Sequence, residues 1–386
     1  MNNFEFNNPV KLIFGKGQIA KIAQEIPADA NIMITYGGGS IKSNGIYDQV
    51  IAALANHKYI EFGGIEPNPK YETLMKAIEV AKQNGVNYLL AVGGGSIIDG
   101  TKFIALAMDY KGDSAWDLML NPELMGTMNP IALASILTLP ATASEMNCGG
   151  VISRIETQEK FAFSHPGAYP QFSVLDPTAC YSLPKKQVIN GLIDTFVHIM
   201  EQYITYPCNS SIQDRFSEGV LLTIVEAAPE LHKDHANYDT VANYMLAATM
   251  GLNGFSAMGV PQDWATHMIG HELTALHGLD HGLTLALVEP ALLEVMREEK
   301  GDKLIQYGAR VWGITTGSKE EKVDAAIKKT AEFFESLGIV SSLKHYGVTE
   351  ESIDRICKRF EERGSKLGEN GTVTHVEVRK ILEKAY

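Results

Sequence analysis

Along the first half of the chain the apolar residues fall in short continuous runs, separated by stretches where they recur every three to four positions. Asn31 to Tyr36 (NIMITY), Asn87 to Val92 (NYLLAV), Ile131 to Leu139 and Phe172 to Leu175 are runs of strand length. They are apolar at consecutive positions rather than alternate ones, as in strands covered on both faces. Tyr71 to Gln83 has helical period, and so does the stretch IIDGTKFIALAM that follows Ser96. Strands alternating with helices predict a parallel, doubly wound sheet. Gly149 to Phe163 reads as a hairpin.

From about Pro184 the rhythm changes. Lys186 to Thr205, Ile212 to Leu231, Val241 to Leu252, Lys322 to Leu337 and Glu350 to Glu362 all carry helical period, with few strand-like runs between them. The pattern predicts an α/β, Rossmann-like domain of nucleotide-binding type over residues 1–185 and an all-α domain over residues 186–386.

Composition narrows the function without naming it. A chain of 386 residues is long enough for two domains with full cores. Its 46 acidic residues against 33 Lys and Arg give a net charge of -13, which argues against nucleic acid as a partner. The N-terminal stretch lacks the basic start and apolar core of a secretory signal, and no apolar run reaches membrane-spanning length. Cys148, Cys180, Cys208 and Cys357 show no CxxC spacing, which fits a reducing compartment. The expectation is a cytoplasmic protein that binds no membrane.

Four ionisable residues carry most of the chemistry. Asp194 and His198 stand one helical turn apart in GLIDTFVHIMEQ, and His267 and His281 bracket HMIGHELTALHGLDH. Residues four apart stack on one helix face, so the carboxylate and the imidazole can converge on one point. Both are donors that Zn²⁺ and Fe²⁺ accept. Leu192, Ile193, Phe196, Val197, Ile199 and Met200 surround the first pair, a setting in which an unpaired carboxylate is costly. Taken singly, such pairs are ordinary surface or core residues; together they form a candidate metal site.

Glycine marks the ends of two predicted strands. NYLLAV runs into Gly93, Gly94, Gly95 and Ser96, and NIMITY into Gly37 to Gly39 and Ser40, with Lys42 nearby. Glycine lets a backbone approach phosphate closely, and the following helix start supplies N–H donors. Neither loop is the GxGxxG fingerprint, and each also reads as a plain strand-to-helix turn. In dinucleotide sites an acidic residue at a strand end grips the adenosine ribose. Here glycines and serine stand instead, leaving room without negative charge for a 2′-phosphate. Thr138, Thr142, Ser144 and Asn147, in and after the run ILTLPATASEMN, and Lys160 in the hairpin are further polar candidates, with turn, cap and surface roles as the plain alternatives.

The chain resembles the iron-containing, or group III, alcohol dehydrogenase family over essentially its full length, and within it most closely the bacterial NADPH-dependent aldehyde reductases or butanol dehydrogenases. LIFGKG, TYGGGSIK, FGGIEPNP, LLAVGGGSIIDGTKFIA, LTLPATASEMN, GLIDTFVHIMEQY, GVPQDWATHMIGHELTALHGLDHG and LGEN carry the likeness. It implies a dehydroquinate synthase-like fold with Asp194, His198, His267 and His281 as ligands of one divalent metal. It also implies that His271 lies near the nicotinamide, that His277 lies close by without binding the metal, and that Gly38, Ser40, Asn68, Gly95, Ser96, Thr138, Asn147 and Lys160 contact NADP. NAD-using relatives carry aspartate at the place of Gly38. Two departures stand out: Ala143 replaces a family glycine, and Ala179 a tyrosine of the nearest aldehyde reductases. A homodimer, through an extended segment from Phe4 to Phe14, is also implied.

The expected activity is reversible hydride transfer between NADPH and small to medium aldehydes, with Zn²⁺ or Fe²⁺ as Lewis acid and the proton reaching the product through water, the cofactor ribose or His271. The alternative is a metal-dependent lyase of the dehydroquinate synthase type. That site needs several Lys and Arg beside the metal, and residues 194–205 and 260–285 contain none. A non-catalytic nucleotide- or metal-binding protein needs only part of the constellation. Trp264, Met268, Leu273, Leu276 and Phe255 offer an apolar pocket for an alkyl chain, although helix core is the more ordinary role for most of them.

Overall fold

The computed structural model describes residues 1–233 and 236–386. Its chain divides into two compact units. One comprises Asn7–Pro184 and His235–Thr249; the other comprises Met1–Phe6, Lys185–Asp234 and Met250–Tyr386.

The first unit is built on a six-stranded, all-parallel sheet. In chain order its strands are β1 (Lys11–Phe14), β2 (Asn31–Thr35), β3 (Lys58–Phe62), β4 (Tyr88–Gly94), β5 (Ala132–Leu139) and β8 (Phe172–Leu175), with β6 (Gly149–Arg154) and β7 (Glu159–Ser164) forming a separate antiparallel hairpin. Spatial order is β1-β8-β5-β4-β2-β3. Strands β4 and β5 are buried almost end to end because both of their faces are covered. Among the helices of eight residues or more, α1 (Ile46–Ala53), α2 (Tyr71–Gln83) and α3 (Gly95–Ala107) belong to this unit. In α2, Leu74, Ala77, Ile78 and Ala81 form the buried stripe that the spacing predicts. The chain runs from β2 to β3 on one side, then returns past β2 to β4 on the other. The carboxyl ends of β2 and β4 therefore flank a topological switch point, where open α/β sheets receive their ligands.

The second unit is helical. It contains α4 (Lys185–Tyr203), α5 (Ser211–Lys233), α7 (Ala265–His277), α8 (His281–Val295), α9 (Arg297–Val311), α10 (Lys319–Ser336), α11 (Glu350–Glu362) and α12 (His375–Ala385). Ile269 and Leu273 of α7, Leu287 and Leu292 of α8, Ile356 and Phe360 of α11, and Ile381 and Leu382 of α12 meet in one apolar core. Helix α6 (Tyr238–Gly251) departs from a single cut near residue 185, since most of it packs with the sheet unit. Tyr244 there donates to the Pro140 carbonyl at 2.5 Å, and Thr249 to Glu145 Oε1 at 2.6 Å. Met1–Phe6 departs the other way. Asn2 N–H donates to the Gly259 carbonyl, and the Phe6 ring meets Phe255 edge-on. Among the described residues no helix is long and apolar enough to cross a membrane.

Candidate active site

Every residue of α4 from Gly191 to Tyr203 is buried, Asp194 and His198 among them. Two later helix starts bring the remaining imidazoles to them. His267 lies in the first turn of α7, and His281 opens α8 after Gly278, in the left-handed region at φ +66°, has ended α7. Gly282 permits the last approach, because a Cβ there would lie 2.5 Å from the Asn190 carbonyl oxygen of α4.

The result is a carboxylate oxygen ringed by imidazoles. Asp194 Oδ1 lies 3.3 Å from His198 Nδ1, 3.5 Å from His267 Nε2 and 3.6 Å from His281 Nε2. The donors of Asp194, His267 and His281 all lie within 4.8 Å of one another; His198 is not in that set of three, but its ring centre lies 4.4 Å from that of His267, tilted by 31°. Ligands of one Zn²⁺ or Fe²⁺ with bonds of about 2.0–2.2 Å have separations of this size. His198 Nδ1 and His267 Nε2 are buried and make no hydrogen bond of normal geometry among the described residues. A divalent cation would satisfy both, so the residues present fit one. Burial lowers the pKa of His198 to about 4, which leaves it neutral and able to ligate.

Glu201, one turn beyond His198, fixes the ligand face of His267. Its Oε2 hydrogen-bonds His267 Nδ1, and its Oε1 accepts from the backbone N–H groups of Thr266 at 2.7 Å and His267 at 3.3 Å. An imidazole that donates through Nδ1 presents Nε2 as a lone pair, the usual arrangement behind a metal-bound histidine. Burial opposes charge on His267, yet Glu201 and Asp194 together hold its pKa up at about 9, so a cation that binds there displaces a proton from Nε2. Behind this pair stands a buried ionic network. Asp263 accepts from the Ala265 N–H at 3.0 Å and pairs with Lys300 at 2.8 Å, while Lys300 also reaches Glu369 at 2.9 Å and the Ile204 carbonyl at 2.8 Å. Thr266 donates to Glu289 at 2.6 Å; burial first, then Glu201, raises the Glu289 pKa to about 8.

His271 lies one turn after His267, its ring 5.3 Å from His281 and 6.4 Å from His267. His277 ends α7 half-buried, and burial lowers its pKa. Of the pocket candidates, Trp264 packs its ring against His198 at 6.0 Å and His267 at 5.4 Å. It adopts φ +64°, a costly conformation for a bulky side chain, at the start of α7. Leu273 is core, Met268 and Leu276 pack against that core, and Phe255 meets Phe216. Cations that other elements bring to α7 are matched by carboxylates: Arg359 and Arg363 both bind Glu272, at 2.7 and 2.5 Å.

In the sheet unit the two glycine loops follow β2 and β4. A Cβ at Gly38 would meet nothing within 4 Å, so this loop is open. Gly95 differs, since a Cβ there would strike the Thr142 side chain at 2.3 Å. Its bareness therefore seats the start of α3 against the loop after β5. Ser96 Oγ accepts from Asn68 N–H at 3.3 Å, and Asn68 Oδ1 accepts from Lys160 Nζ at 2.8 Å, which links three of the predicted cofactor residues. Asn147 Oδ1 accepts from the buried Lys102 Nζ at 2.9 Å, and its amide donates to the Thr142 carbonyl. Thr138 is buried at the end of β5, its carbonyl facing Cys180 Sγ. Lys42, two residues past Ser40, is not a free cation, because it pairs with Glu61 at 2.8 Å.

Two family models match the chain: iron-containing alcohol dehydrogenase over residues 9–177, and the C-terminal part of the Fe-containing alcohol dehydrogenase family over residues 188–386. The chain belongs to the iron-containing alcohol dehydrogenase family. Among curated relatives it is 52% identical over 387 residues to the NADPH-dependent aldehyde reductase YqhD of Escherichia coli, covering 100% of both chains. It is 41% identical over 392 residues to NADP-dependent alcohol dehydrogenase 3 of Entamoeba histolytica, again covering 100% of both. The crystal structure of Escherichia coli YqhD superposes with a TM-score of 0.97 at 51% identity, covering 100% of this chain and 99% of that one.

Both departures from the family pattern have a physical setting in this iron-containing alcohol dehydrogenase. Ala143 is fully buried at φ +51°, in the left-handed region where glycine costs least, so the glycine that the resemblance implies there would relieve strain. Ala179 is buried in the apolar core beside the sheet, its N–H bonded to the Asp176 carbonyl. Glu201 was within reach of the sequence, since positions 194, 198 and 201 lie on one helix face. Asp263, Lys300 and Glu369 were not, because only the folded chain brings these three stretches together.

Proposed function

We propose that this protein is a metal-dependent oxidoreductase that transfers a hydride from NADPH to small and medium aldehydes, giving primary alcohols, and that the reaction is reversible. The observation that carries the reading is the buried Asp194 carboxylate ringed by His198, His267 and His281, in a full-length member of a family whose 52%-identical relative is an NADPH-dependent aldehyde reductase. Asp194, His198, His267 and His281 would hold one divalent cation, Zn²⁺ or Fe²⁺. Gly38, Ser40, Asn68, Gly95, Ser96, Thr138, Asn147 and Lys160 would hold NADP(H). When bound, the cation supplies a Lewis acid for the carbonyl oxygen and NADPH supplies the hydride.

The rest of the chemistry belongs to the chain. Glu201 keeps His267 in the ligating tautomer, and Trp264 sets an apolar ring edge-on against His198 and His267. His271 is assigned the transfer of the proton that completes the alcohol. The matched state of Lys300, Arg359 and Arg363 leaves none of them for a polyanionic substrate, which favours a reductase over the lyase reading. Scattered free cysteines support a cytoplasmic location, and the family likeness supports a homodimer. Following NADPH absorbance with a panel of aldehydes tests the proposal: turnover of butanal and its homologues is expected, and no turnover of any aldehyde would refute it.

A further inference from the structure

Strands β2 and β3 pair in register, with Ile34 beside Glu61 and Thr35 beside Phe62, so Glu61 stands where β2 gives way to the Gly37 to Ser40 loop. The loop is tied to the end of β3 by the Gly64 N–H, which donates to the Gly37 carbonyl at 2.9 Å. Three side chains from around the loop converge on the Glu61 carboxylate. Lys42 Nζ is 2.8 Å from Oε2, Tyr36 donates to Oε2 at 3.0 Å, and Tyr47 donates to Oε1. The Lys42 ammonium also sits 4.9 Å from the Tyr36 ring centre and 4.6 Å from that of Tyr47. Tyr36 in turn lies over Gly63, where a Cβ would come within 2.5 Å of its ring. Burial opposes charge on Glu61, but Lys42, Tyr47 and Tyr36 keep its pKa below the ordinary carboxylate value. It stays ionised.

The stretch from Gly37 to Ser40 carries no charge of its own. The cation placed to serve it, Lys42, is held by Glu61, so the pair contributes a net charge of zero to the place assigned to the adenosine ribose. NADPH and NADH differ there by a phosphate carrying roughly two negative charges, with a second pKa near 6. We propose that Glu61 is a specificity-determining residue that restrains discrimination between NADPH and NADH, and that cofactor selectivity follows the net charge of the Lys42–Glu61 pair. The inference rests on the cofactor reading of the Gly38 loop given above. One unit charge acting on the phosphate across roughly 8 Å of partly solvated surface changes affinity by roughly fivefold.

The test uses the full-length enzyme with Glu61→Gln, Lys42→Met and the double variant. NADPH and NADH dissociation constants come from cofactor fluorescence, and kcat/KM values from butanal reduction. Glutamine keeps an acceptor for the tyrosine hydroxyls, and thermal unfolding checks that each variant is folded. The NADPH to NADH selectivity is expected to rise about fivefold in Glu61→Gln, to fall about fivefold in Lys42→Met and to return to within about twofold of wild type in the double variant, both single-variant effects shrinking in high salt. Unchanged or lowered selectivity in folded Glu61→Gln would overturn the proposal. So would a double variant as unselective as Lys42→Met, since Lys42 would then act independently of Glu61. Gly38→Asp separates this failure from failure of the loop reading: lost selectivity there keeps the loop reading whatever the pair does, and unchanged selectivity sinks both.

Discussion

Replacing Glu201 by glutamine changes one buried atom and sets two demands against each other. The carboxylate now accepts on both sides, from His267 Nδ1 through Oε2 and from the Thr266 and His267 backbone N–H groups through Oε1. An amide accepts on one side only. If its oxygen stays with the backbone, its NH₂ faces Nδ1, and His267 must carry its proton on Nε2, the nitrogen that points at Asp194. If the amide turns over, the tautomer is kept but two N–H groups at the start of α7 lose their acceptor, a loss comparable to that of an N-cap, about 1 kcal/mol. Losing such an anchor behind a metal-bound histidine costs tenfold to hundredfold in metal affinity, or about 1.4–2.7 kcal/mol. Zn²⁺ affinity measured by competition with a chromophoric chelator should fall by at least that tenfold in Glu201→Gln, with circular dichroism unchanged. A variant that binds Zn²⁺ within about twofold of wild type would show that Glu201 does not orient His267.

Three further outcomes are expected. Gly38→Asp places a carboxylate in open space without backbone strain, so it should weaken NADPH by about 1–3 kcal/mol while changing NADH little; equal effects on both cofactors would remove the 2′-phosphate from this loop. His271→Ala should slow aldehyde reduction with metal content unchanged, and loss of metal in that variant would instead mark His271 as a ligand. Glu289, raised to about 8, keeps its proton in the folded state while the unfolded chain has lost it, so its contribution to stability declines as pH rises from about 4.5 through 8. Glu289→Gln should therefore flatten the fall in stability over that range in denaturant titrations; parallel wild-type and variant profiles would contradict the burial argument.

Much of this fold was legible because its strands are apolar on consecutive positions and its long helices are periodic. Tyr71–Gln83, Phe172–Leu175 and Glu350–Glu362 begin and end where the pattern places them. Strand β3 was not legible, because KYIEF at a sheet edge is only half-buried and breaks the apolar run. The four candidate ligands could be read because two of them share a helix face and histidines are dense around the others. Lys42 stands near the glycine loop in the sequence, but nothing in sequence spacing shows that Glu61 on the neighbouring strand will claim it. For the same reason nothing in the sequence shows that Lys300 is buried between Asp263 and Glu369, beneath the candidate ligands.

The central claim is that the Asp194, His198, His267 and His281 cluster works by holding a divalent cation. The most direct measurement strips the purified enzyme with a chelator, quantifies residual metal, and follows NADPH consumption with butanal while Fe²⁺ or Zn²⁺ is titrated back. NADPH binding should survive stripping, because the glycine loops belong to the other unit, whereas turnover should vanish and return in proportion to metal up to one equivalent per chain. Full turnover by metal-free protein would contradict the account.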